Sequence, residues 1–406
     1  MKILFFVSSM HAGGAERVAA TLSGGWARQG HEVTLAPTYT RKGKLFYPLD
    51  PGVRVEWVAD RMGWAGRTPL APFVKLWALR RMVRAYRPDV IVSFLTNVNV
   101  MVLMATLGMG VPVIVCERTN PAVSSSATPR LRRLRRRLYP HAAMVTVQAE
   151  ASLAPMMKLV PGMRQLAVVP NPLPPELPAP RARAYQDAGA GEYGPQGIAT
   201  AASAAAGAGS AAASGITASP DTGRRHRLVA MGRFVPSKRY AGLLDVFERL
   251  APRFPDWDLA IWGDGPLRGE LENRVAQAGL EGRVLLPGRT PAPWRELLAS
   301  DLFVLTSEVE GFPNALIEAM ALGLPCVSVD CPSGPREITR EGRDAVLVPL
   351  NDEAALEQAL AGLMADPPGR ARLGGRGALS VHERYGLEHV LAHWEKLFRD
   401  AGVRLP

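Results

Sequence analysis

Two rhythms of apolar and polar positions run along this chain. Short stretches dominated by apolar and β-branched residues recur at 3–8, 32–36, 53–58, 90–94, 113–116, 144–147 and 166–169. Such runs suit strands buried on both faces of a parallel sheet. Between the first two, Val18, Leu22 and Trp26 fall four residues apart and mark a helix from Ala15 to about Gln29. The rhythm resumes beyond residue 226, with strands predicted over 227–231, 259–262, 284–286, 302–305, 326–329 and 345–348. Helices are predicted there over 240–250, 267–277, 354–364 and 387–399. Strand alternating with helix is the pattern of a doubly wound α/β sheet. Repeated in both halves, it predicts two Rossmann-like domains facing an interdomain cleft.

The break between the halves is compositional. Pro172, Pro174, Pro175, Pro178 and Pro180 lead into an Ala/Gly/Ser-rich tract over 188–215, which has no apolar face to bury. The expected organisation is therefore a first domain over 1–172, a flexible insert over 173–226, a second domain over 227–385 and a closing helix within 386–406. Residues 90–116 carry no charge, but Asn97, Asn99, Gly108, Gly110 and Pro112 interrupt them. That punctuation predicts strand, helix and strand rather than a membrane span. Met1 to Val7 is too short an apolar core for a secretory signal and reads as the first strand.

One segment carries chemistry by itself. After the predicted strand 302–305, Glu310-Gly311-Phe312-Pro313-Asn314 forms a turn, and an apolar helix start runs to Glu318. Both carboxylates then lie toward the carboxyl edge of a parallel sheet, where open α/β sheets bind ligands. The helix start offers free N–H groups to a phosphate, while the acids accept hydrogen bonds from hydroxyls. Gly311, Phe312 and Asn314 have N–H groups to offer, and Pro313 has none. Arg233 and Lys238 follow the strand 227–231 on one loop, a fork and a point charge suited to a diphosphate. Gly13 and Gly14 follow the first strand, where a backbone can approach a ligand closely or simply turn. Glu117 and Arg118 end another strand, placed to meet a second substrate or to pair with each other.

The chain of 406 residues has 48 Lys and Arg against 37 Asp and Glu, a formal excess of +11 that favours an anionic partner. Six arginines between Arg130 and Arg137 alternate with Leu131, Leu134 and Leu138, a basic amphipathic helix suited to an anionic membrane surface. Without interleaved aromatics it does not predict nucleic-acid binding. Three cysteines without CxxC spacing fit a reducing compartment and no zinc site. Asp256-Trp257-Asp258 spells a metal-binding DxD, but it precedes a strand and reads as a loop. Gly263-Asp264-Gly265 has Arg268 where a dinucleotide motif needs its third glycine.

The order of these short motifs resembles glycosyltransferase family 4, retaining enzymes of the GT-B fold. Gly13-Gly14-Ala15-Glu16-Arg17, Pro88-Asp89-Val90, Val169-Pro170-Asn171-Pro172, Gly232-Arg233, Lys238, the Glu310–Glu318 pair and Pro332-Ser333-Gly334-Pro335-Arg336-Glu337 carry the likeness. It spans nearly the whole chain outside about residues 178–225. The resemblance implies a transferase of a hexose or N-acetylhexosamine from a nucleotide sugar, UDP-linked, to a lipid-linked or polysaccharide acceptor. It implies that Arg233 and Lys238 hold the donor diphosphate, Glu310 the sugar and Glu318 the ribose, with Arg289 near the base. A histidine that some relatives set near the transferred sugar is missing here, so that role is not carried over. No metal or other cofactor is implied, and the implied location is cytoplasmic, at the inner face of the membrane. A UDP-sugar isomerase of the same fold and a non-catalytic nucleotide-binding scaffold remain alternatives.

Overall fold

The structure is a computed structural model and describes residues 1–404, apart from 40–42, 44, 64–69, 121–126 and 182–224. The Ala/Gly/Ser-rich tract lies outside the described residues. Seven parallel strands build the first sheet: β1 (Lys2–Val7), β2 (Glu32–Pro37), β3 (Val53–Val55), β4 (Val90–Phe94), β5 (Val113–Cys116), β6 (Met144–Val147) and β7 (Leu166–Val168). Their order is β3-β2-β1-β4-β5-β6-β7. Six more build the second: β8 (His226–Met231), β9 (Trp257–Trp262), β10 (Val284–Gly288), β11 (Leu302–Leu305), β12 (Cys326–Val329) and β13 (Val346–Val348). They run β10-β9-β8-β11-β12-β13, again all parallel. Strand order reverses between β1 and β4 and between β8 and β11, so a crevice opens at each carboxyl edge there.

Alternate residues of each buried strand feed different layers. Ile3, Phe5 and Val7 join a core completed by the helix Gly14–Arg28 and the last helix, Leu387–Asp400. Trp26 meets Trp394 edge-on at 5.4 Å and Phe398 at 5.6 Å, which fastens the chain's end to the first sheet. Leu4 and Phe6 face the opposite layer, made by the helices Ala71–Tyr86, Thr96–Thr106, Pro129–Leu138 and Leu153–Leu159. The uncharged stretch 90–116 is β4, a buried helix and β5, as its polar and glycine positions predict. Among the described residues no helix is long and apolar enough to cross a membrane.

Three features depart from the sequence reading. A 19-residue helix, Pro367–Tyr385, occupies a stretch for which no element was predicted. The basic helix also turns one cation inward: Arg135 is buried, 3.7 Å from the Glu117 carboxylate. Asp258 lies inside β9 rather than before it, and Arg225 and Arg283 hold its carboxylate.

Candidate active site

The carboxyl edge of the second sheet is drawn tight by glycines. Gly232 N–H donates to Trp262 O at 2.9 Å, and Gly263, at φ +149°, could carry no Cβ without meeting the Gly232 oxygen at 1.8 Å. The loops after β8 and β9 therefore stack backbone on backbone. Beyond Gly232 the chain presents Arg233, exposed and with no carboxylate partner among the described residues. It then curls through a single 3-10 turn, Pro236–Lys238. Two bonds fix this loop to the one after β11: Thr306 Oγ1 donates to Lys238 O at 2.7 Å and Glu308 N–H to Ser237 O at 2.9 Å.

That fixing brings Lys238 Nζ to 2.5 Å from Glu310 Oε1, both side chains mostly buried. A charge-assisted bond at this depth fixes the position of both side chains. Cys331 packs close by; burial pushes its thiol up to about 12, with the Glu310 charge adding. After Glu310 the chain enters the eight-residue helix Asn314–Ala321. The N–H groups of Gly311, Phe312 and Asn314 donate to nothing among the described residues. A fork, a point charge and free helix-start donors thus gather on one edge, an arrangement suited to a diphosphate. The Phe312 ring turns away into the core against Tyr385, so only its backbone is available. Arg289 is largely exposed at the end of β10, 4.0 Å from Asp264.

Glu318 is buried and doubly engaged. Trp294 Nε1 donates to its Oε2 at 2.8 Å, and Arg17 from the first half of the chain forms an ion pair with Oε1. Burial disfavours the Arg17 charge, but Glu318 and Tyr47 outweigh that and hold the guanidinium ionised. The sequence reading gave Glu318 to a ligand and did not single out Arg17 or Trp294.

The two carboxyl edges meet at several further points. Asn314 Nδ2 donates to Gly14 O at 3.2 Å, so the Gly13-Gly14 loop faces the start of helix 314–321. Asn171 Nδ2 donates to Asn314 Oδ1 at 2.5 Å, and Asn171 Oδ1 accepts from the Arg118 guanidinium. The Asn120 amide reaches Pro332 O, and the Glu150 N–H donates to the Glu337 carboxylate at 2.8 Å. Pro332 and Glu337 thus clasp the two halves. Glu117 and Arg118 do not pair with each other. Glu117 points into the first domain, taking bonds from Thr96 at 2.7 Å and Tyr139 at 2.5 Å. Arg118 stacks 4.2 Å over the Phe94 ring, and burial pulls its pKa down to about 10. The backbone beside it touches Gly311, where any Cβ would lie 2.6 Å from Arg118 O.

The comparisons with known proteins agree with this geometry. Residues 13–172 match the glycosyl transferase 4-like domain and residues 218–379 match glycosyl transferases group 1. A Campylobacter jejuni protein, GalNAc-alpha-(1->4)-GalNAc-alpha-(1->3)-diNAcBac-PP-undecaprenol alpha-1,4-N-acetyl-D-galactosaminyltransferase, is 24% identical over 98% of this chain and 99% of its own length. The exopolysaccharide phosphotransferase SCO2592 of Streptomyces coelicolor is 36% identical over 43% of this chain, which spans only 18% of that longer protein. Anabaena HepE, solved with UDP and glucose, superposes with a TM-score of 0.75 at 19% identity, over 98% of this chain and 99% of its own. Two domain matches that together span both halves, with a full-length fold match, place the chain among the group 1 glycosyltransferases of the GT-B fold.

Proposed function

We propose that this chain is a retaining glycosyltransferase acting in bacterial cell-surface glycan synthesis. It takes a hexose or N-acetylhexosamine from a UDP-linked donor and transfers it to a lipid-linked or polysaccharide acceptor. The observation that carries the reading is the Lys238–Glu310 pair at the start of helix 314–321, with Lys238 on the same loop as Arg233, which has no carboxylate partner among the described residues. Two relatives support the substrates by their names: the Campylobacter protein extends a sugar on a PP-undecaprenol carrier, and HepE was solved with UDP and glucose.

In this reading Arg233, Lys238 and the helix-start N–H groups hold the diphosphate, Glu310 orients the sugar and Glu318 takes the ribose hydroxyls. An acceptor hydroxyl oxygen bonds to the anomeric carbon while the bond from that carbon to the diphosphate oxygen breaks on the same face. The electron pair leaves with the nucleoside diphosphate, whose freed oxygen receives the hydroxyl proton. Stabilising that developing charge is the largest catalytic contribution. Two cations take the part a metal ion plays elsewhere, so the proposed reaction needs no metal or other cofactor. The basic helix 129–138 faces the anionic inner surface of the membrane, near a lipid-borne acceptor.

The test is a transfer assay with a panel of UDP- and GDP-sugars, a lipid-diphosphate sugar acceptor and a chelator throughout. Transfer from one UDP-sugar is the expected result. Conversion of the donor without acceptor is isomerase behaviour and contradicts the proposal. Nucleotide binding without turnover under any pairing assigns a scaffold role instead.

A further inference from the structure

The charge of this molecule is not spread over it. The helices Ala71–Tyr86, Thr96–Thr106, Pro129–Leu138 and Leu153–Leu159 all cover one face of the first sheet. They carry four, none, six and one Lys or Arg respectively, eleven in all, and no Asp or Glu. That equals the formal excess of the whole chain, +11. The other face of the same sheet carries mixed charge: the last helix alone has Glu388, Glu395, Asp400, Lys396 and Arg399. Arg135 is spent on Glu117 inside, but Arg81, Arg84, Arg130, Arg132, Arg133, Arg136 and Arg137 stand in solvent.

Large apolar groups stand in solvent on this same face. Phe73 is 70% exposed and Trp77 57% exposed, one turn apart on helix 71–86, with Arg81 lying 5.3 Å over the Trp77 ring one turn further. Helix 71–86 leads into β4 and so runs against the strands, which puts its first turn at the carboxyl edge. Lys75 confirms that placement, its Nζ 3.2 Å above the ring of Tyr39, just past the end of β2. Two aromatics exposed at a cleft edge and backed by a wall of arginines match an interfacial surface, apolar in the headgroup boundary and cationic above it.

We propose that this whole face lies on an anionic phospholipid bilayer, with Phe73 and Trp77 inserted at the headgroup boundary. The inference extends the attachment proposed above from one helix to four and sets the acceptor side of the cleft against the lipid. A nucleic-acid strand fits less well, because the cations line the outsides of helices and the two aromatics sit at one end.

Sedimentation with phosphatidylglycerol vesicles, in the absence of donor and acceptor, tests it. Its failure therefore leaves the transferase reading standing. The full chain is expected to bind these vesicles and not phosphatidylcholine ones. The double variant Phe73→Ser, Trp77→Ser is expected to lose at least tenfold in partitioning at unchanged Tm. A triple variant, Arg132→Gln, Arg133→Gln, Arg136→Gln, is expected to weaken binding and flatten its salt dependence. Vesicle binding unchanged in the double variant overturns the proposal, as does retention on single-stranded RNA without retention on vesicles.

Discussion

Lys238 and Glu310 are separated by 72 residues, yet their pairing follows from short-range signals in the sequence. Each ends or follows a strand, and strands at a switch point bring their carboxyl ends together. Lys238→Ala is expected to cut kcat by about 10²–10³-fold, the scale for losing one preorganised electrostatic contact. Initial rates at saturating donor, with Tm measured alongside, check it; an unchanged kcat removes Lys238 from the leaving-group role. Arg17 was not legible in the same way. Its partner Glu318 lies 301 residues away on the opposing domain, and only the closure of the two edges joins them. Because Arg17 occupies a carboxylate assigned to the ribose, Arg17→Ala is expected to lower Tm by uncovering the buried Glu318 charge. UDP is then expected to raise the variant's Tm more than the wild type's in a thermal-shift titration. Gly311 gives a steric prediction. In Gly311→Ala the new Cβ meets two backbone atoms, Arg118 O at 2.6 Å and Thr119 Cα at 3.0 Å, and neither side can rotate away. A fall in kcat/KM of at least about tenfold with native circular dichroism is expected, since small misplacements at a reaction centre are costly.

At the scale of elements, apolar runs revealed the thirteen strands among the described residues; the central ones, such as β1, β4, β5 and β11, are buried on both faces and have no polar side to confuse the pattern. Helix 367–385 was hidden by its glycines, which lower helix propensity. The structure gives their reason: a Cβ at Gly374 would lie 2.2 Å from Gly323 O and one at Gly377 2.8 Å from Asp344 O. Tertiary contact overrides propensity there, and no local pattern announces it. The amphipathic reading of helix 129–138 was incomplete for a related reason, since the inward Arg135 is recognised only once Glu117 is beneath it. The last helix packs back on the first domain, with Val390, Leu391, Trp394, Leu397 and Phe398 on its buried side. Trp394 is wholly buried against Trp26 and Phe398. Trp394→Ala is expected to destabilise the first domain by about 3–5 kcal/mol, read from denaturant unfolding. A loss under 1 kcal/mol means that the helix does not fasten the chain's end.

Across the whole molecule, two parallel sheets turn their carboxyl edges toward each other. The proposed donor elements lie on one edge and the glycine loop 13–14 on the other, joined through Asn314. The contacts that close the gap, Arg17 with Glu318, Asn171 with Asn314 and Glu150 with Glu337, all join residues more than 140 positions apart. Sequence reading recovered both edges and little of the clasp between them, because the clasp depends on how two separately folded sheets dock. The proposed chemistry uses this closed geometry to hold attacking and leaving oxygens on one face of the sugar. The anomeric configuration of the first product formed from an α-linked UDP-sugar, read by proton NMR before any rearrangement, tests that claim most directly. An α-linked product is predicted; a β-linked product contradicts same-face transfer in this cleft.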